Sequence, residues 1–281
     1  DQVQKHNSRL GQTLRWQMRR PDQIKGILEG LIEEAGAEAR ASYHSDKSIA
    51  TRFAENAINQ NIGGHEESVS LSIALGRRHG SASTNTLEPD SLRALVARAK
   101  ANAQNSPEDP EYLPPPPPQN YPALPTKYFN DAASMRPDDI ASDIDLAVKA
   151  AQDRSFSASG LFQSGEWRSA HAASTGLFAS DSGTWLDYSM TVHGQKGSGH
   201  ASAYSESRQH TDIAGMIERA VSTASAAQNP DEVEPGEWTD TFEPQAVADL
   251  PEFMMWNLSA RDAEEGSSFF SQKGQTENET D

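Results

Sequence analysis

The sequence predicts an α+β fold, and three observations carry that prediction. Apolar residues recur at helical spacing in several segments, strict strand alternation lies between those segments, and a proline-rich stretch parts the chain into two groups of them. The reading is an N-terminal α/β domain joined by a Pro-rich connector to a β-rich C-terminal domain with flanking helices. Residues 1–20 form a polar N-terminal segment, 21–106 the N-terminal domain, 107–136 the connector and 137–281 the C-terminal domain. The chain begins without Met and stops in polar Gln275 to Asp281, so that last domain is expected to be truncated.

Pro21 and Asp22 open the clearest helix, with Ile24, Ile27, Leu28, Leu31, Ile32 and Ala35 on one stripe and Gly36 at its end. From Ala37 to Thr84 the pattern turns to short β-like runs, and Ser68 to Leu75 alternates as a half-buried strand does; Gly63-Gly64 and Gly76 read as turns. Asp90 is expected to cap a helix carrying Leu92, Leu95, Val96, Ala99 and Ala103. Pro107, Pro110, Pro114 to Pro118, Pro122 and Pro125 then favour an extended polyproline connector.

Beyond it, Ile140, Ile144, Ala147, Val148 and Ala151 keep helical phase. Strand candidates follow at Phe156–Phe162, Arg168–Ser174, Gly176–Ser180, Trp185–Val192 and Ser198–Tyr204. Asp212 caps a helix bearing Ile213, Met216, Ile217, Ala220 and Ala224. The two groups share wording: Gly80-Ser81-Ala82-Ser83 leads to Arg98-Ala99 and Gly199-His200-Ala201-Ser202 to Arg219-Ala220, which suggests a duplicated unit as readily as chance. Val233 to Phe242 suggests a further strand, and Pro244 starts a helix that Pro251 would kink or divide.

Leu, Ile, Val and Phe make up only about 16% of the chain, and the net charge is −17. That combination flags disorder, and the periodicity answers the flag, because a disordered tract has no reason to place apolar residues in phase. The acidity argues against a nucleic-acid partner, whose phosphates need a basic face. With no cysteine, disulfides, thiolate zinc sites and a Cys nucleophile are excluded within this chain. The absence of a long apolar run and of an apolar stretch behind the basic residues near the start leads to an expectation of no membrane and a cytoplasmic location.

Chemical motifs are sparse. No two of the eight histidines stand at i, i+4, and HExxH and HExxxH are both missing. His65-Glu66-Glu67 begins such a motif and does not complete it. His171, His193, His200 and His210 fall in the second group and are open to converging on an ion, though scattered surface positions are the simpler reading. No Gly-x-Ser-x-Gly elbow occurs, and Gly194 to Gly199 reads as a hairpin turn rather than a phosphate loop.

Several phrases, taken in order, resemble the TldD/PmbA family of metallopeptidases (peptidase U62, modulator of DNA gyrase). They are Arg52 to Gln60, Gly80 to Asn85, Gly176 to Phe178, Glu234 to Trp238, Glu243 to Leu250 and Glu265 to Phe269. The resemblance implies an N-terminal α/β domain, a β-rich C-terminal domain and a dimer enclosing a cavity for unfolded or small peptides. In the zinc-bearing branch a helix carries HExxxH. The matching helix here, Pro244 to Ala260, holds no histidine, and its Glu252 is an isolated carboxylate. The resemblance therefore points to the PmbA/TldE-like branch: a chain with no cofactor and no catalytic, cofactor-binding or metal residue of its own, zinc being expected in a partner. The expected partner is a TldD-like, HExxxH-bearing subunit, or a second copy in a homodimer, acting on a peptide substrate. The alternative is a non-enzymatic scaffold or binding protein that retains the fold.

Overall fold

The computed structural model describes residues 18–122 and 125–271. Residues 1–17 of the expected polar segment and the Gln275–Asp281 tail lie outside them. The chain divides into two compact units, one ending at Pro230 and one beginning at Asp231.

In the first unit the order is α1 (Pro21–Ala35), β1 (Glu38–Ala54), β2 (Ala57–Leu75), β3 (Arg78–Thr84) and α2 (Pro89–Asn105). Then come α3 (Asn130–Ala133), α4 (Pro137–Gln152), β4 (Ser157–Ala173), β5 (Phe178–His193), β6 (Ser198–Ser205) and α5 (Ile213–Ala226). All six strands join one antiparallel sheet in the order β3-β2-β1-β4-β5-β6. The fold is α+β, and both strand groups separated by the proline-rich stretch contribute to a single sheet.

The sheet consists of two copies of one α-β-β-β-α unit. β1 and β4, the first strand of each copy, run antiparallel at the centre, so an approximate twofold axis passes between them where Lys47 faces Glu166. Arg20-Pro21-Asp22 and Arg136-Pro137-Asp138 open the first helix of each copy. Proline's fixed φ suits the first turn, and the arginine N–H donates to the side chain of the third helical residue, Gln23 or Asp139, at 2.9 Å in both cases. Ile24, Leu28, Leu31 and Ala35 in α1 occupy the places of Ile140, Ile144, Ala147 and Ala151 in α4, and all eight are buried. Gly80 corresponds to Gly199. A β-carbon at Gly80 would lie 2.1 Å from the Ala103 backbone nitrogen, and one at Gly199 would lie 2.1 Å from the Ala220 carbonyl oxygen. Only glycine lets α2 and α5 seat this closely on their edge strands.

Helices cover one face of the sheet. Alternation sends Ala39, Ala41, Tyr43, Ser45, Thr51 and Phe53 of β1 into that face, and Arg40, Ser42, His44 and Asp46 to the other. The core forms two clusters, one per copy: Tyr43, Leu71 and Ile73 under α1 and α2, and Phe162, Tyr188 and Met190 under α4 and α5. Phe162 stacks on Tyr188 at 4.3 Å and takes the edge of Phe53 at 5.3 Å. Each fully buried large side chain contributes about 1.5–3 kcal/mol.

Several local expectations change. Gly63-Gly64 lies inside β2, and the β1–β2 turn is made by Glu55-Asn56, both at positive φ (50° and 62°), the geometry of a tight hairpin. Arg168–Ser174 is the end of the strand that starts near Phe156, and Gly176–Ser180 and Trp185–Val192 likewise merge into β5. The N-cap of α2 is Glu88, with Asp90 in the first turn. Gly36 at φ 58° ends α1, and Asp212 caps α5 by accepting from the Gly215 N–H at 2.9 Å, both as the sequence predicts.

The second unit contains α6 (Pro244–Met255) and α7 (Ala260–Glu264). No strand forms over Val233–Phe242, where Pro235 removes a ladder donor. α6 runs through Pro251 and ends before Ala260.

Candidate functional site

Three polar clusters lie on the helix-covered face, each satisfied from within. At the twofold axis Lys47 Nζ stands 2.9 Å from Glu166 Oε1, and the Tyr128 hydroxyl donates to Oε2 at 2.7 Å. Burial, and then the neighbouring Glu166 carboxylate, push the Tyr128 phenol up. In the second copy Asp143, 1% exposed, accepts from the Tyr188 hydroxyl at 3.0 Å and from Arg208 Nη2 at 2.5 Å. In the first copy Arg19 grips Glu67 through two hydrogen bonds of 2.9 and 3.0 Å, which holds that carboxyl below the usual range. These groups hold elements together and leave no free acid or base.

The histidines named from the sequence do not converge. His171 faces Ser42 across β1 and β4, His193 ends β5, and His200 sits on β6 with Nδ1 3.1 Å from the Thr191 hydroxyl. His210 lies on a short 3-10 turn with its ring 5.6 Å from that of Phe129. His65 Nε2 stands 3.0 Å from Ser45 Oγ, a nucleophile-and-base spacing, but Ser45 is fully buried and no substrate reaches it. Among the described residues no three His, Asp or Glu side chains group as metal ligands. α6 offers only Asp249 and Glu252 as donors and no imidazole, so its residues do not fit a zinc site of the HExxxH type.

The uncovered face of the sheet is the accessible polar surface. At one end a cleft of about 410 Å³ is lined by Arg40, Ser42, Ser70, Ser72 and His171 and bounded by Pro116. The proline stretch is tied down there: Leu113 O accepts from Arg40 Nη2 at 2.6 Å, and Pro116 O accepts from the Thr175 hydroxyl at 2.7 Å. Farther on, Lys127 forms a parallel bridge with Gly183 at the edge of β5. The middle of this face carries Asp46, Glu66, Trp167 and Trp185, which sequence motifs did not mark. The available signals were an acid at a strand centre and two tryptophans, each paired across the strands with a glycine.

Residues 39–103 match the family model described as PmbA/TldA metallopeptidase domain 1. Over those residues the chain is similar to the first domain of the PmbA/TldD family. That domain spans β1 to the last turn of α2, so it coincides with the first copy of the duplicated unit less its opening helix. No curated protein sequence matches. Among solved structures, TldE from Thermococcus kodakarensis aligns at 19% identity and a TM-score of 0.66, over 72% of this chain and 48% of its own length. A protein from Bacteroides thetaiotaomicron VPI-5482, described as a proposed modulator of DNA gyrase, aligns at 20% identity with TM-score 0.73 over 90% and 61%. A similarly described protein from Thermotoga maritima MSB8 aligns at 16% with TM-score 0.73 over 90% and 59%. These likenesses show that the chain shares their fold, and that it spans about half to three fifths of their length.

Proposed function

We propose that this chain is the metal-free, TldE-like subunit of a PmbA/TldD-type peptidase assembly in the cytoplasm, shaping the chamber for unfolded or small peptides while an HExxxH-bearing partner supplies zinc. The observation that carries the reading is the donor chemistry of α6: in a chain with a PmbA/TldD first domain, the helix matched to the metal-bearing one has two carboxylates and no imidazole. The likeness to TldE supports it. Co-expression with an HExxxH-bearing family member from the same source tests it. A stable heteromer by light scattering that cleaves casein, while neither chain alone does so at the same rate, is the expected result. A chain that never enters such a complex would overturn the proposal and favour a scaffold.

A further inference from the structure

Trp167 and Trp185 lie flat on the uncovered face. Trp185 is the β5 partner of Gly165, and a β-carbon built on Gly165 would fall 2.6 Å from the Trp185 indole. Trp167 is the β4 partner of Gly183, where a β-carbon would fall 2.8 Å from the Trp167 indole. Each ring therefore rests on a glycine of the neighbouring strand, and the two rings lie side by side, pointing in opposite directions. The geometry leaves one π-face of each indole turned away from the sheet.

The surroundings of this platform are acidic. Asp46 is the β1 neighbour of Trp167, and Glu66 is the β2 neighbour of Asp46. Burial pushes the Asp46 carboxyl up, against the pull of nearby His44. Glu66 is exposed, and neither acid has an ion-pair partner among the described residues. The two cation–π contacts of the described residues, Lys25 over Phe178 and Arg168 over Tyr128, involve other rings.

We propose that this platform binds a lysine or arginine side chain of an extended peptide, the indole faces of Trp167 and Trp185 stacking on the cationic group and Asp46 and Glu66 supplying the counter-charge. Two indole faces beside two unpaired carboxylates suit an ammonium or guanidinium group, which gains from the ring quadrupoles and the carboxylates together. The polar strands around the platform, with Ser48, Ser68 and Ser169 on the same face, offer hydroxyls to a peptide backbone. The proposal rests on the peptide reading given above and names the side chain that such a peptide presents.

The test uses the full chain without partner or zinc, so it reads independently of proteolysis. Blocked pentapeptides Ac-Ala-Ala-Lys-Ala-Ala-NH2 and the Arg, norleucine and Glu analogues are titrated against the indole N–H resonances and by calorimetry. The expected result is that the Trp167 and Trp185 resonances move with the Lys and Arg peptides while that of Trp238 stays, and that the norleucine peptide binds roughly tenfold more weakly or not at all. Asp46→Asn should weaken the Lys peptide several-fold. Gly165→Ala, which touches no ligand group, should do the same by lifting the Trp185 ring. Equal binding of the norleucine and Lys peptides would overturn the proposal, as would indole shifts caused only by a neutral sugar such as maltose or by free spermidine. If Gly165→Ala fails to fold, Asp46→Asn decides. A chain that binds the Lys peptide but joins no cleaving complex keeps this proposal and sinks the peptidase reading; an active complex whose platform ignores the Lys peptide does the reverse.

Discussion

Glycines at different places have opposite expected effects, because what a methyl group meets differs from site to site. Gly80→Ala and Gly199→Ala push a β-carbon into the α2 and α5 backbones, and each should destabilise by about 2–3 kcal/mol in urea denaturation. Gly26, exposed on α1 with open space around it, should instead stabilise as Ala by about 0.5–1 kcal/mol. Two acids on β1 and β2 differ in the same way. Folding raises the Asp46 pKa by burying the carboxyl, so its ionised form opposes folding, and that cost grows as pH rises through the raised value. Asp46→Asn should therefore raise the melting temperature at neutral pH, and the gain should fade on acidification. Folding lowers the Glu67 pKa through its bonds to Arg19, so its stabilisation is present above the ordinary glutamate range and lost as pH falls through the folded value. Glu67→Gln should lower the melting temperature at neutral pH, with the difference vanishing in acid. Melting curves across that range check both signs, and a shift of like sign for the two variants would contradict the assignment.

Among the elements, the pairing of β1 with β4 gives the duplicated units their joint sheet. Residues 18–106 alone would expose the full edge of β1, a strand of 17 residues, and such an edge recruits another chain. That fragment should run as a dimer or larger species in light scattering; a monomer with a cooperative unfolding transition would contradict the account. The helices were legible because their apolar spacing needs only local sequence: α1 was readable from Ile24 to its Gly36 cap. Strand lengths were less so. Gly63-Gly64 carries turn chemistry yet sits mid-strand in β2, held there by pairing with β1, while the true turn at Glu55-Asn56 lacks the glycine that usually announces it. The duplication was visible in Gly80 and Gly199, but its stronger mark, the matched Arg-Pro-Asp helix starts, becomes evident only when the cap bonds are seen. Asp143 shows why polar clusters escape notice: an acid in helical phase with Ile140 and Ile144 reads as an interruption until Tyr188 and Arg208 arrive from distant segments.

At the level of the whole molecule, a charge of −17 on 281 residues repels itself in the folded state, so added salt should raise the melting temperature. No helix among the described residues is long and apolar enough to cross a membrane. The fold class followed from periodicity, and the family resemblance from short phrases spread over both units. The residues that shape the open sheet face escaped the sequence reading because they come together through strand register rather than through any linear motif. The measurement that bears most directly on the central claim is zinc content by mass spectrometry, made on this chain alone and on its complex with an HExxxH-bearing family member. The account predicts no stoichiometric zinc in the chain alone and one zinc per heterodimer, carried by the partner. Stoichiometric zinc in the isolated chain would contradict it.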